Sequence, residues 1–124
     1  MTNTLLRIGI IGELEVQQQL LNRNFNVFNN ICDDDGIDLV CEKNNKFFKI
    51  QVKKATKISY YKTTPRYSFG LGNTKNRPDF FICVVNEGFL IIPSSWCTSQ
   101  SFNWYPFSKK DNQKFILNNW NLLK

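Results

Sequence analysis

Glu13, Asp38, Gln51 and Lys53 could carry chemistry in this chain if its fold brings them together. On a wheel of about 100° per residue, Glu13 falls near the middle of an otherwise apolar helical stripe, with Gln17 one turn further along the same face. Asp38 opens a strand after a Gly-Ile step, and Gln51 and Lys53 share one face of the next strand. A lone carboxylate buried among apolar groups is costly unless a cation or hydrogen-bond donors meet it. A divalent ion is one answer, since Mg²⁺ takes oxygen ligands and keeps waters and phosphate as partners. A lysine beside it would contact a scissile phosphate and help to position or deprotonate an attacking water. Each residue alone also fits a plainer role. Glu13 could pair with an internal lysine, Asp38 could end a turn, and Gln51 and Lys53 could be the wet face of a strand. The four in this order favour catalysis, because the plain roles would all have to coincide.

The chain contains no histidine, which removes triads with an imidazole base and histidine-ligated metal sites. Cys32, Cys41, Cys83 and Cys97 form no C-x-x-C pair, so free and mostly buried thiols are expected rather than a zinc site. Chemistry is left to carboxylates, lysine, amides, hydroxyls or a bound metal. No apolar run approaches the roughly 20 residues that cross a bilayer, and no signal peptide is read. A cytoplasmic or nucleoid-associated protein with no membrane partner is expected.

The elements that must position these residues follow from pattern. Leu5 to Arg23 predicts a helix whose core face is Leu5, Leu6, Gly9, Ile10, Leu14, Val16, Leu20 and Leu21, with Ile8 and Ile11 on the wrong side. A short strand follows around Phe25 to Ile31, then a turn at Asp33-Asp34-Asp35-Gly36. Ile37 to Glu42 and Phe47 to Lys54 read as strands joined by an asparagine-rich turn, completing an antiparallel meander. Phe48, Ile50 and Val52 take one face of the last strand, and Lys49, Gln51 and Lys53 the other. Thr56 to Leu71 fits two strands around Thr63-Thr64-Pro65. Asp79 to Val85 and Phe89 to Ile92 predict a hairpin, and Asn112 to Leu123 a short C-terminal helix. At 124 residues without repeat or linker, one domain spanning 1–124 is expected, of an α/β (α+β) mixed-sheet class.

The net charge of +6 is unevenly placed. Residues 1–42 hold seven acids against Arg7 and Arg23, whereas 43–78 carry ten lysines and arginines and no acid. Such a block favours a polyanionic partner, although a solvated lysine-rich face has the same composition. The phosphate-contact candidates are Lys49, Lys54, Lys57, Lys62, Arg66, Lys75 and Arg77. Tyr60, Tyr61 and Tyr67 could reach bases or pack on a sheet.

Gly12-Glu13, Leu20-Leu21, Asp35-Gly36-Ile37-Asp38-Leu39-Val40 and Ile50-Gln51-Val52-Lys53 together resemble the PD-(D/E)XK nuclease superfamily. Within it, the pattern is similar to the small branch of cyanobacterial group I intron homing endonucleases, and to archaeal Holliday junction resolvases. Asp79-Phe80-Phe81-Ile82, Ile91-Ile92-Pro93-Ser94 and Trp120 extend the likeness towards the C-terminus. The resemblance implies a restriction-endonuclease-like core. It also implies that Glu13 and Asp38 bind Mg²⁺ (or Mn²⁺), that Gln51 and the Val52 carbonyl are neighbouring ligands, and that Lys53 is the catalytic lysine. Gln51 stands where a second acid is more common, and Ile37 replaces the proline before Asp38. The implied activity is hydrolysis of double-stranded DNA to 5′-phosphate and 3′-hydroxyl ends by a homodimer or homotetramer, as in homing. The alternatives are a junction resolvase, a restriction-like nuclease or a non-cleaving DNA-binding module.

Overall fold

The computed structural model describes residues 3–32, 35–55, 59–73 and 76–124. Helix α1 (Thr4–Asn22) starts where the Asn3 side chain accepts the Leu6 N–H at 3.0 Å, satisfying one of the orphan donors of the first turn. It stops where Asn24 takes a left-handed φ of 66°. The Asn24 and Phe25 N–H groups then turn back onto the Leu21 and Leu20 carbonyls, a Schellman ending that delivers Leu20 and Phe25 to the same core.

Strands β1 (Asn26–Asn29), β2 (Leu39–Lys43) and β3 (Lys46–Lys54) form the expected antiparallel meander. The β2–β3 turn is built from Asn44 and Asn45, with φ of 54° and 65°. Two left-handed residues match the twist of the flanking strands, and asparagine tolerates that conformation better than most side chains. The chain then makes a second hairpin, β4 (Ser59–Tyr61) and β5 (Thr64–Gly70), before returning as β6 (Phe80–Val85). β6 lies parallel to β3, with Ile50 opposite Phe80 and Lys54 opposite Val84, and β7 (Gly88–Pro93) closes the sheet antiparallel to β6. The five-stranded order is β1-β2-β3-β6-β7. A three-stranded sheet, β4-β5-β8, includes β8 (Ser101–Trp104), which the sequence pattern had not disclosed.

β6 is the wall between two apolar cores. Phe80, Ile82 and Val84 join Val16, Leu20, Leu39 and Ile50 beneath α1, together with Trp120 and Leu123. Phe81, Cys83 and Val85 join Tyr67, Phe69, Leu90, Ile92 and Trp104 on the opposite side. A strand covered on both faces has no wet side, so it reads as an unbroken apolar run rather than an alternation. Each large side chain so buried stabilises the fold by about 1.5–3 kcal/mol before entropy is counted.

Two expectations are corrected. The buried face of α1 is Gly12, Val16 and Leu20, with Ile8 half-buried beside it, while Leu5, Leu6, Gly9, Ile10, Leu14 and Leu21 are exposed. The apolar stripe is wider than the sheet beneath it, so only the sector that meets β3 and its neighbours is covered. The C-terminal helix is not Asn112 to Leu123 but α2 (Lys109–Lys114), capped by the Ser108 hydroxyl, followed by a 3-10 turn at Trp120–Leu122. Helical hydrogen bonding is lost to the sheet. The Asn118 N–H donates to the Phe89 carbonyl at 2.7 Å, and its side chain accepts the Phe89 N–H at 3.0 Å.

Candidate active site

Asp38 sits just before β2, where that strand begins to pair with β3. Its N–H donates to the Ile50 carbonyl at 3.0 Å, and its carbonyl accepts the Asn30 N–H at 3.1 Å. The side chain then reaches along β3, and Oδ2 accepts the Val52 N–H at 2.6 Å. β2 pairs with β3 only as far as Leu39 opposite Ile50, so the carboxylate takes a backbone donor just past the end of the ladder. A charged acceptor on a backbone N–H is among the stronger hydrogen bonds, and here it fixes the carboxylate's orientation. The loop before it is also tied down. Asp35 Oδ1 accepts the Ile37 N–H at 3.1 Å and the Asn30 side-chain amide at 2.9 Å, and that amide also donates to the Ile37 carbonyl. Gly36 has φ of +80°, and a Cβ there would lie 3.7 Å from Gln51 Nε2.

Glu13 is carried on α1, half-buried. The preceding Gly12 lets the helix press onto β3, since a Cβ at that position would lie 2.9 Å from Lys54 Cβ. Glu13, Asp38 and Val52 border one cleft of about 410 Å³ beside the first turns of α1. Glu13 and Asp38 also border a second of about 270 Å³, with Gln17, Asn29 and Asn30. Gln51 and Lys53 line a third of about 280 Å³, with Asp35, Gly36 and Arg77. Val52, whose N–H holds Asp38, lies between Gln51 and Lys53 on β3, but alternation turns those two side chains to the other face of the strand, and none of the three clefts holds all four residues. The side chains bordering these clefts offer carboxylate and amide oxygens, donors whose hardness suits a divalent cation such as Mg²⁺ rather than a thiophilic metal. Among the described residues no three acids, cysteines or histidines converge, consistent with a glutamine where a second β3 acid would stand.

The thiols of Cys41, Cys83 and Cys97 stay protonated near neutral pH. Burial pushes Cys41 up to about 12 and raises Cys83 further, and burial also raises the half-buried Cys97. All four cysteines are free, with Cys41 and Cys83 buried on strands as expected and Cys32 exposed. A nucleophilic thiolate at any of the three buried or half-buried positions is therefore disfavoured.

The basic candidates separate by surroundings. Lys49 is exposed and shares the β3 face of Gln51 and Lys53, while its backbone exchanges hydrogen bonds with Asp79. Lys62 and Arg66 flank the exposed Tyr61 ring at 5.7 and 5.6 Å, giving the β4–β5 hairpin a basic aromatic tip. Tyr67 is buried and donates its hydroxyl to Glu87 at 2.7 Å. Lys54 points to the α1 side and pairs with Glu15 at 2.8 Å. Arg77 binds the carbonyls of Asn73, Cys97 and Ser99, which makes it a clamp between loops. Lys57 and Lys75 lie outside the described residues. Asn30 and Asp79 brace the strands around the site, and Asn30 carries no local signal beyond an amide at a strand boundary.

A family model described as PD-(D/E)XK endonuclease matches residues 5–79, more than half of the chain. No protein of curated function matches the sequence. Among solved structures, a bacterial homing endonuclease superposes with a TM-score of 0.68 at 22% identity, over 89% of this chain and 80% of the other. The Holliday junction resolvase Hjc of Archaeoglobus fulgidus superposes with a TM-score of 0.62 at 10% identity, over 89% of this chain and 91% of the other. At these identities the two likenesses establish the fold, while the family match spans the segment that carries Glu13, Asp38, Gln51 and Lys53. The chain belongs to the PD-(D/E)XK endonuclease family.

Proposed function

We propose that this chain is a Mg²⁺-dependent endonuclease of double-stranded DNA, with Mn²⁺ as a competent substitute, leaving 5′-phosphate and 3′-hydroxyl ends. The observation that carries the reading is the placement of Asp38. Its carboxylate is locked to the Val52 N–H, borders a cleft with Glu13, and has Gln51 and Lys53 on either side of the residue that holds it. A divalent ion held by Glu13, Asp38, the Gln51 amide oxygen and the Val52 carbonyl would supply the positive charge that a phosphodiester needs and would acidify water. Lys53 would contact a non-bridging phosphate oxygen and position the attacking water or, when neutral, take its proton as the water attacks phosphorus. Gln51 contributes an oxygen without charge, so two carboxylates rather than three face the ion. Lys49 continues the Lys53 face along β3, and Lys62 with Arg66 at the β4–β5 tip are further candidates for phosphate contact.

A homing role is favoured within this reading, with junction resolution as its neighbour. A single small chain covers a short stretch of duplex, so a homodimer or homotetramer is expected to cut both strands. The neutral Gln51 favours a second reading, a DNA-binding module that no longer cuts. Incubation of plasmid, linear and four-way-junction DNA with Mg²⁺ or with EDTA separates them. The expected result is metal-dependent cutting that Lys53→Ala and Asp38→Ala each abolish. Binding without cutting by the unmutated protein selects the module, and equal cutting by both variants rules out this site.

A further inference from the structure

We infer that Trp96 and helix α2 form a landing for an unpaired DNA strand, which leaves the cleft of Lys53, passes Arg77, stacks a base on Trp96 and sets its phosphates against Lys110 and Lys114. The inference deepens the nuclease reading, on which it rests for the identity of the strand, and names the substrate class as DNA with a strand unpaired beside the cut. Trp96 ends the 3-10 turn Ser94–Trp96, directly after β7. That turn is bolted to the wall of the Lys53 cleft. The Ser94 N–H donates to the Asp79 carbonyl at 3.0 Å, and the Ser94 hydroxyl donates to the Pro78 carbonyl. On the other side of Trp96, the Cys97 carbonyl accepts Arg77 Nη1 at 2.7 Å, and Arg77 and Pro78 both line the cleft with Gln51 and Lys53. The indole meets the Phe115 ring at 6.1 Å between centroids, and the Lys114 ammonium lies 5.2 Å from that same ring. Cleft, Arg77, Trp96 and α2 therefore adjoin in that order.

The occupant follows from charge and from the open ring. Residues 88–124 hold four lysines and a single acid, Asp111, whose Oδ2 accepts the Tyr105 N–H at 2.9 Å. Lys110 and Lys114 are exposed and lie one turn apart on α2. Like charges at that spacing repel, a cost that a phosphate between them removes. Lysines alone suit duplex and single strand equally, and Trp96 separates the two. It is 38% exposed, whereas Trp104 and Trp120 are 1% and 7% exposed. A flat ring among cations offers stacking to any base, but the bases of a duplex are already stacked on one another, so an unpaired base is the one that can use it. A membrane surface fits poorly, because Lys109–Lys114 contains no apolar residue to insert. An acidic peptide would satisfy the lysines and leave the indole without a planar partner.

Tryptophan fluorescence of the full chain in EDTA tests this, titrated with an oligo-dT strand of about 12 nucleotides or with a blunt duplex. The expected result is quenching by the single strand, because Trp96 is the exposed one of three tryptophans. Trp96→Phe should lose the quenching yet keep most of the affinity, read by the anisotropy of labelled oligo-dT. Trp96→Ala should weaken binding at least about fivefold, the lower end of what base–aromatic stacking supplies. Lys110→Gln/Lys114→Gln should lower the slope of log affinity against log salt by about 1.4, two phosphates at about 0.7 each. Lys43→Gln/Lys46→Gln, which removes the same charge at the β2–β3 turn, should leave the quenching in place. The inference is overturned by an unquenched tryptophan at saturating oligo-dT, by an affinity for oligo-dT that Trp96→Ala leaves unchanged, or by quenching with polyglutamate in place of oligo-dT. Because the readout needs neither metal nor cutting, quenching in a chain that never cuts DNA overturns only the nuclease reading. Cutting of continuous duplex by a chain that oligo-dT does not quench overturns only this inference.

Discussion

Replacing Gly12 with alanine puts a methyl carbon 2.9 Å from Lys54 Cβ and 3.2 Å from its Cδ. Cβ is fixed by β3, so relief requires α1 to retreat or the strand to shift. Overpacking of this kind costs about 1–3 kcal/mol. The same substitution gains up to about 1 kcal/mol of helix propensity, which complicates any single measurement. Gly9 supplies the control. It lies on the same helix, and a Cβ there meets nothing within 4 Å. The propensity gain is common to both variants and cancels in their difference. Gly12→Ala is therefore expected to be less stable than Gly9→Ala by about 1–3 kcal/mol. At about 3–6 °C per kcal/mol for a chain of this size, the gap is visible in a thermal melt as well as in urea. The site should respond in parallel. A retreat of α1 stretches the 2.8 Å Lys54–Glu15 pair and draws Glu13 away from Asp38, so Gly12→Ala should lose Mg²⁺-induced stabilisation that Gly9→Ala keeps. Equal stability of the two variants would refute the claim that close helix–strand contact at Gly12 sets the position of Glu13.

Asp38→Asn retains an oxygen for the Val52 N–H while removing a charge near Glu13. The metal-free variant is expected to melt no lower than the parent, but added Mg²⁺ should no longer raise its melting temperature; an unchanged Mg²⁺ response would remove Asp38 from the site. The Cys41 thiol is pushed up to about 12 by burial, from the ordinary 9.0. Above pH 9 the unfolded chain therefore loses a proton that the folded chain keeps, so stability from this group is complete below pH 9 and is lost as pH rises towards 12. The limiting slope is about 1.4 kcal/mol per pH unit. Urea melts between pH 8 and 10.5 should show a shallower decline for Cys41→Ala than for the parent, and parallel curves would refute the assignment.

The strand framework around the candidate residues was legible because its determinants are local. Alternation along Lys46–Lys54 places Gln51 and Lys53 on one face whatever else happens, and Asn44-Asn45 sets the register of β2 against β3. The unbroken run of β6 declared a strand with no wet side. Other features were hidden because they depend on distant partners. Lys54 and Arg77 look like their neighbours in a basic block, yet Glu15 in one case and three carbonyls in the other engage them. β8 is short and polar in pattern, and is a strand because β5 offers it an edge.

Helix α1 divides the two kinds of knowledge most clearly. Periodicity located it within a residue at each end, and in the structure the Asn3 side chain and the left-handed Asn24 close those ends through bonds a few residues long. Which of its apolar residues would be buried was decided only by the width of the sheet below and by the absence of a Cβ at Gly12, because a helix turns every side chain outwards and only a neighbour chooses among them.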